Sequence, residues 1–352
     1  GLGDWSAEAG TWEVGVPTSG PPTNALGWRA HEGTNCGATV LGGNYPAGAD
    51  SRLVSPMFVV PAADQHPRLR FWHWYQMGSS AYGVVEVRIG TNAWAEVSPR
   101  YGGSSGAWTR PTVELGAYAG QRVQVGFRVR DSYGYVAPGW YVDEVELRTG
   151  PEIFNNPESF ELGWGDWFAE SGTWEVGVPA SGPPANALGW RAHEGTNCAA
   201  TALGGNYPAG ADTRLVSPVF AVPAADQNPR LRFWHWYQMG YNAYGVVELR
   251  VGTNAWAEVS PRYGGNSGAW TRPWVDLSGY AGQTVQVAFR LRDPNWHPAP
   301  GWYVDEVTVV TGAVRTLVAN VPESFEEGLG DWSAEAGTWE VGVPTSGPPT
   351  NA

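Results

Sequence analysis

The sequence predicts an all-β fold, built as tandem antiparallel β-sandwich domains of jelly-roll type. Three observations carry this. Apolar and polar side chains alternate with period two through run after run of β-branched and aromatic residues. The runs are punctuated by turn formers, with Gly 48 and Pro 28 in a chain of 352 residues. No stretch of ten or more residues shows helical periodicity.

The first run, Trp12–Val16, alternates between two faces. In Leu69-Arg70-Phe71-Trp72-His73-Trp74-Tyr75 side chains alternate between two faces, each carrying aromatics. Val84–Ile89 follows the same pattern, and Val123–Arg130 alternates cleanly between apolar and polar. Trp140–Leu147 closes the domain, and alternation sets Asp143 on one face with Tyr141, Val145 and Leu147.

The order of these runs then repeats. Asp4-Trp5 recurs as Asp166-Trp167, Cys36 as Cys198 and Asp143 as Asp305, each 162 residues on. Residues 1–25 recur without change as 328–352. A fixed long period means an array of similar units. The expected domains are residues 1–150, lacking an opening strand, residues 151–315, and the opening strands of a further repeat over 316–352. Domain two opens at Pro157-Glu158-Ser159-Phe160-Glu161 and the next at Pro322-Glu323-Ser324-Phe325-Glu326. The joining segments are short and not Gly/Ser-rich, so they restrict the orientation of neighbouring domains.

Composition excludes several classes. A net charge of −13, from 34 acidic and 21 basic groups, argues against nucleic-acid binding, which needs a basic footprint. No apolar stretch is long enough to insert as a membrane helix. Every basic residue is Arg, so Lys–Asn isopeptide cross-links are ruled out. Each domain holds one cysteine, Cys36 or Cys198. Equivalent positions in neighbouring domains lie too far apart for a bridge, which needs Cα atoms within about 7 Å. Two readings remain open: buried free thiols, or disulfides between chains.

Several motifs resemble one family. They are Gly33-Thr34-Asn35-Cys36, Leu41-Gly42-Gly43-Asn44-Tyr45-Pro46, Ser51-Arg52-Leu53-Val54-Ser55-Pro56, Leu69–Tyr75, Tyr118-Ala119-Gly120-Gln121 and Gly139-Trp140-Tyr141-Val142-Asp143-Glu144-Val145. Together they are similar to the bacterial choice-of-anchor J and cleaved-adhesin domains, relatives of the MAM-type jelly roll. The resemblance implies an extracellular or cell-surface, non-catalytic domain that often holds structural calcium. The family's Trp-Tyr-Ile-Asp-Asp-Val segment stands here as Trp-Tyr-Val-Asp-Glu-Val, with Glu144 and Glu306 in place of the second Asp.

Asp143 and Asp305 are the first candidates for chemistry, because a carboxylate on an apolar face must be hydrogen-bonded, paired or metal-bound. Calcium needs a second carboxylate. The family pairing points to Glu161 beside Asp305, and to Glu326 in the next repeat. Hydrogen bonds from backbone or Arg are the other reading. Read as strand neighbours, His31-Glu32 and His193-Glu194 face opposite ways and cannot share an ion. His73 and His235 read as core histidines. No nucleophile or zinc-protease signature is present, and the chain reads as no enzyme.

Tryptophan is in surplus, at 21 residues. Most are expected in cores. Trp72 and Trp74, set opposite Phe71 and Tyr75, together with Trp274 and Trp296, are candidates for binding or packing. Trp274 replaces Thr112, and Trp296 lies where residues 132–136 become Pro294-Asn295-Trp296-His297-Pro298. The leading expectation is a fibre or long adhesin whose partner is itself, assembled head to tail. The alternative is modules binding glycans or cell-surface ligands, appended to a secreted enzyme.

Overall fold

The computed structural model describes residues 2–23, 27–186 and 188–314, and beyond them 317, 319–326, 332, 339 and 341. The opening strands expected over 316–352 lie largely outside the described residues. The fold is all-β. The helical pieces among the described residues are single 3₁₀ turns such as Ala63–Gln65.

In the first repeat the strands are β1 (Ser6–Ala9), β2 (Glu13–Gly15), β3 (Cys36–Ala38), β4 (Asp50–Val54), β5 (Phe58–Val59), β6 (Arg68–Gln76), β7 (Ala81–Ile89), β8 (Ala95–Glu96), β9 (Thr112–Glu114), β10 (Arg122–Asp131) and β11 (Gly139–Arg148). One sheet runs β1-β4-β10-β7-β8, with β5 beside β10, and the other β2-β3-β11-β6-β9. The pairs are antiparallel, as two-sheet sandwiches of this kind require. The five runs read from the sequence fall on β2, β6, β7, β10 and β11.

The inner faces meet in an aromatic core. Phe71 of β6 sits edge-on to Phe127 of β10 at 4.9 Å between ring centroids, and Phe127 meets Trp140 of β11 at 5.5 Å. Leu53, Val85, Val125, Val142 and Tyr75 complete the packing. Edge-to-face pairs of this kind add about 0.5–1.5 kcal/mol beyond their buried area. Gly83 on β7 is where Trp140 needs room: a Cβ there would lie 2.6 Å from the indole Cε3. The outer face of the first sheet is ionic instead. Glu86 is buried there and accepts from Arg52 at 2.8 Å and from Arg128 at 3.2 Å.

In the second repeat the strands are β12 (Phe168–Ser171), β13 (Glu175–Gly177), β14 (Cys198–Ala200), β15 (Asp212–Val216), β16 (Phe220–Ala221), β17 (Arg230–Gln238), β18 (Tyr244–Val251), β19 (Ala257–Glu258), β20 (Tyr263–Gly264), β21 (Trp274–Asp276), β22 (Thr284–Arg292) and β23 (Gly301–Val310). β22 pairs β18, while β23 lies between β14 and β17. Its core repeats the same geometry, with Phe233 and Phe289 at 4.9 Å and Phe289 and Trp302 at 5.5 Å. The chain divides into two compact units: Gly1–Glu152 with Trp167–Glu175 and Asp212–Val216, and Ile153–Asp166 with Val176–Ala211 and Ser217–Ala352.

Strict alternation fails at one place in each closing strand. The β11–β6 register shifts between Asp143 and Glu146, and Glu144 takes a positive φ of 45°. Glu306 does the same at 46°. The extra residue of this bulge resets the pleat. Asp143 keeps the face of Tyr141, but Val145 turns to the main core, contrary to the shared face that alternation predicts.

Candidate functional site

The second face of β6 and β11 is not open to solvent. Trp74 and Tyr141 pack there with Ala30, Cys36 and Ala38, closed over by Leu41 and Trp108. The second repeat forms the same small core from Trp236, Tyr303, Ala192, Cys198 and Ala200. Trp74 is therefore a packing residue and offers no binding face. The covering loop, which alternation cannot foresee, is the reason. Both cysteines are free and buried beneath it. Burial pushes the Cys36 thiol up to about 12, and Cys198 is raised as well. A thiol so enclosed is not presented to another chain, so the bridge between chains gives way to buried free thiols.

Asp143 and Asp305 hold that loop down. Oδ2 of Asp305 accepts the backbone N–H of His193 at 3.0 Å and of Glu194 at 3.2 Å, and Oδ1 accepts that of Glu306 at 2.8 Å. Asp143 does the same for His31, Glu32 and Glu144. His31-Glu32 and His193-Glu194 therefore lie in loops rather than strands, with adjacent amides converging on one carboxylate. Asp305 is fully buried, and burial lifts its carboxyl to about 8 against the pull of the three N–H donors.

Glu161 caps the end of the same loop, where it runs into β14. It accepts the N–H of Thr196 at 2.8 Å and of Asn197 at 2.7 Å. Both Glu161 and Asp305 raise the Cys198 thiol, yet neither bonds the other. Glu326 is exposed. The donors around these carboxylates are N–H groups, joined at Glu161 by the Thr196 hydroxyl at 3.1 Å. Among the described residues no three His, Cys, Asp or Glu side chains come together as a metal ion would need.

On top of each loop a histidine stacks on a tryptophan: His31 on Trp72 at 3.7 Å and His193 on Trp234 at 3.8 Å. Glu144 and Glu306 hold the imidazoles at 2.6 and 3.2 Å. Trp72 is thus half-buried under a histidine. Trp274, on β21 opposite Arg232, is 39% exposed.

A second cluster is more open. The loop 293–298 hangs on Asp293, which accepts from Asn295 and His297 and, through Oδ2, from Gly210 at 3.0 Å. Tyr207 ties it to the neighbouring turn: its hydroxyl donates to the His297 carbonyl at 3.0 Å and accepts from the Gly240 amide at 2.9 Å. Trp296 stands on this loop 71% exposed, with Tyr241 69% exposed and 5.7 Å from the His297 ring. One face of Trp296 lies on Gly210, where a Cβ would fall 2.9–3.1 Å from three indole atoms. The opposite face is free.

The first repeat builds the loop with other residues. Asp131 takes the N–H groups of Gly48, Tyr133 and Gly134, and Tyr133 and Tyr135 stand exposed. Sequence reasoning found the loop of Trp296 and His297 through the difference between the copies, but not Tyr241 or the glycine floor. For Tyr241 the signal was the change of Ser79-Ser80 to Tyr241-Asn242 in a distant turn.

No family model matches the chain. Bacillopeptidase F of Bacillus subtilis (strain 168) is 29% identical over 232 residues, which is 64% of this chain and 15% of that protein. The chain thus spans about a seventh of the length of the relative it matches. Among solved structures, the tandem CBM22-1–CBM22-2 domain of Paenibacillus barcinonensis Xyn10C is similar at 14% identity, covering 88% of this chain and 94% of that one, with a TM-score of 0.30. TmCBM61 in complex with β-1,4-galactotriose is similar at 15% identity, covering 46% of this chain and 100% of that one, with a TM-score of 0.31. At such scores these likenesses carry no inference about what this chain binds. No helix among the described residues is long and apolar enough to cross a membrane.

Proposed function

We propose that the chain is an array of non-catalytic β-sandwich modules that bind uncharged glycans outside the cell, each through aromatic side chains on the loop before its closing strand. The observation that carries this is Trp296, floored by Gly210 on one face and open on the other. A pyranose presents C–H groups on one face. A fixed aromatic ring takes such a face with little loss of side-chain freedom, and Tyr241 and His297 supply polar edges beside it. The net charge of −13 favours neutral over acidic polysaccharides. The titratable groups that are strongly shifted serve the core or hold a loop, which supports a non-catalytic reading. The match to 15% of a protein named as a peptidase supports modules carried alongside an enzyme.

The function proposed here needs no metal. Calcium at Asp305 and Glu161, and membership of the cleaved-adhesin group, remain proposals of the resemblance. A second reading, the head-to-tail fibre or adhesin, draws on the unchanged recurrence of residues 1–25 at 328–352.

Affinity electrophoresis of the whole chain through gels containing neutral polysaccharides tests the main reading. Retardation by at least one polysaccharide, lost in Trp296→Ala and weakened in Tyr241→Ala, is expected. Retardation by none, or retardation that Trp296→Ala leaves untouched, rejects it.

A further inference from the structure

The two repeats differ on the outer face of the sheet that carries β17 and β21. One row across that face in the second repeat reads Thr308 on β23, Arg232 on β17 and Trp274 on β21. The next row sets Trp234 beside Arg272, because Thr271 bridges His235. In the first repeat the same positions hold Glu146, Arg70 and Thr112, then Trp72 and Arg110.

In the first repeat the arginine has its own acid. The Arg110 guanidinium lies 5.9 Å from the Trp72 ring centroid and donates to Glu146 Oε2 at 3.2 Å. Glu146 is 48% exposed, so solvent reaches this place. Arg272 lies over Trp234 in the same way, at 5.8 Å. Its acceptor has been replaced. Position 308 is threonine, whose hydroxyl donates to Asn156 Oδ1 at 2.7 Å. Among the described residues no hydrogen bond or ion pair reaches Arg272, and its Nε is buried without a partner. Glu306 feels the charge of Arg272, but burial raises its carboxyl and its Oε2 is engaged by His193 at 3.2 Å. Burial, with the Arg272 charge beside it, holds the His193 imidazole down at about 4, so that ring is neutral at neutral pH.

The loss of the acid comes with the gain of an indole. Trp274 stands two residues from Arg272 on the same face and is exposed, where the first repeat has Thr112. Residues i and i+2 of a strand stand about 6.6 Å apart, a distance that one sugar ring and its carboxylate span. An arginine without its carboxylate therefore lies next to a flat apolar surface.

We propose that Arg272 and Trp274 form a binding site for a uronate residue of a glycan. The uronate carboxylate accepts from Arg272 as Glu146 accepts from Arg110, and a C–H face of the sugar ring lies on Trp274. Hydrogen bonds from a guanidinium to a carboxylate are among the stronger ones. The net charge of −13 opposes a polyuronate but weighs little on one uronate carried by a neutral chain, which is the ligand this site fits. An acidic peptide fits less well. It would bring further carboxylates towards Asp276, Glu194 and Glu306, and the edge strand β21 has three residues to pair with it. The Trp296 platform, on the loop 293–298, has no part in this site.

Saturation-transfer NMR and calorimetric titration of the whole chain, with methyl β-D-glucuronide and methyl β-D-glucoside as probes, test the proposal. The glucuronide should bind at one site per chain, and the glucoside roughly tenfold more weakly or less. Arg272→Gln should remove that preference. Trp274→Thr copies the residue of the first repeat, so its melting temperature should match the parent while glucuronide affinity falls roughly fivefold or more. Thr308→Glu restores the internal acid and should close the site. The reverse exchange, Glu146→Thr with Thr112→Trp, should open a second glucuronide site in the first repeat, a gain that misfolding cannot mimic. Equal binding of the two sugars, or glucuronide binding that Arg272→Gln and Trp274→Thr leave unchanged, overturns the site. A stoichiometry that stays at one in the reverse exchange overturns the roles given to positions 308 and 274. Tighter binding of a tetraglutamate peptide, abolished by Arg272→Gln, overturns the glycan as occupant. The readout is the difference between an acidic and a neutral sugar, so failure of the Trp296 platform leaves it readable.

Discussion

His73 accepts the indole N–H of Trp140 at 3.2 Å, and 162 residues on His235 accepts that of Trp302 at the same distance. Both histidines are buried among Phe, Tyr and Trp rings, and burial holds each imidazole down at about 3. A protonated ring would set an N–H against the indole N–H. The unfolded chain takes up these protons first, near 6.5. Stability should therefore fall as pH drops from 6.5 towards 3. His73→Leu should cost about 1–3 kcal/mol at neutral pH by orphaning the Trp140 N–H. The deficit against the parent should shrink at pH 4, where the parent carries its own penalty. Thermal melts of both proteins at the two pH values check this, and a deficit that stays constant would contradict it.

Gly83 and Gly245 are packing glycines, and the test is an alanine at each. A Cβ would come within 2.6 Å of Trp140 Cε3 and 2.5 Å of Trp302 Cε3. The indoles are fixed by their histidines and cannot retreat. Gly83→Ala and Gly245→Ala should each destabilise by about 1–3 kcal/mol, the usual cost of overpacking. Gly116→Ala is the control, because its Cβ meets nothing within 4 Å and its φ is not positive. Denaturant titration should separate the first pair from the control.

How far the sequence reaches depends on whether a feature is periodic. The strands β6, β7, β10 and β11 were legible because one face of each had to meet the other sheet, and alternation records that directly. His73 was legible as a core histidine for the same reason. Trp74 was not, because the loop that brings Ala30 against it has no period, and Leu41 and Trp108, which close over it, come from separate segments. The bulge at Glu144 was hidden too. It rests on a backbone amide of Glu144 bonding Asp143 Oδ1 at 2.9 Å, and no glycine marks the positive φ. The aromatic platform was half legible, through the unlike residues at 132–136 and 294–298. Gly210 beneath Trp296 looks the same in both copies and only the structure separates it from Gly48.

Asp305 gives a second pH dependence, of opposite sign. Its carboxyl is lifted by burial from an ordinary 3.8 to about 8, so the folded chain holds the proton more tightly than the unfolded one. Stability contributed by this group should decline as pH rises from about 4 to 8 and then level off. Asp143 is raised as well, but it is only half-buried and should contribute less. Asp305→Asn should remove the decline while keeping one acceptor for the loop amides. Chemical denaturation at pH 5 and pH 8, followed by tryptophan fluorescence, compares the variant with the parent. A parent–variant gap that does not change between the two would show Asp305 ionised throughout.

The thiols report on the covering loop. Cys36 is 3% exposed and Cys198 fully buried, behind Trp74 and Tyr141 and behind Trp236 and Tyr303. With its thiol held near 12, Cys36 has almost no thiolate at pH 8, and thiolate is the reacting species. Native chain should not react with a disulfide reagent at that pH and should run as a monomer on a non-reducing denaturing gel. In strong guanidinium both thiols should react. Asp143→Ala releases the amides of His31, Glu32 and Glu144, and the loop then opens more often than the domain unfolds. Cys36 should gain reactivity in that variant while Cys198 does not. Equal gain at both cysteines would mean that exposure comes from global unfolding and that Asp143 is not what holds the loop closed.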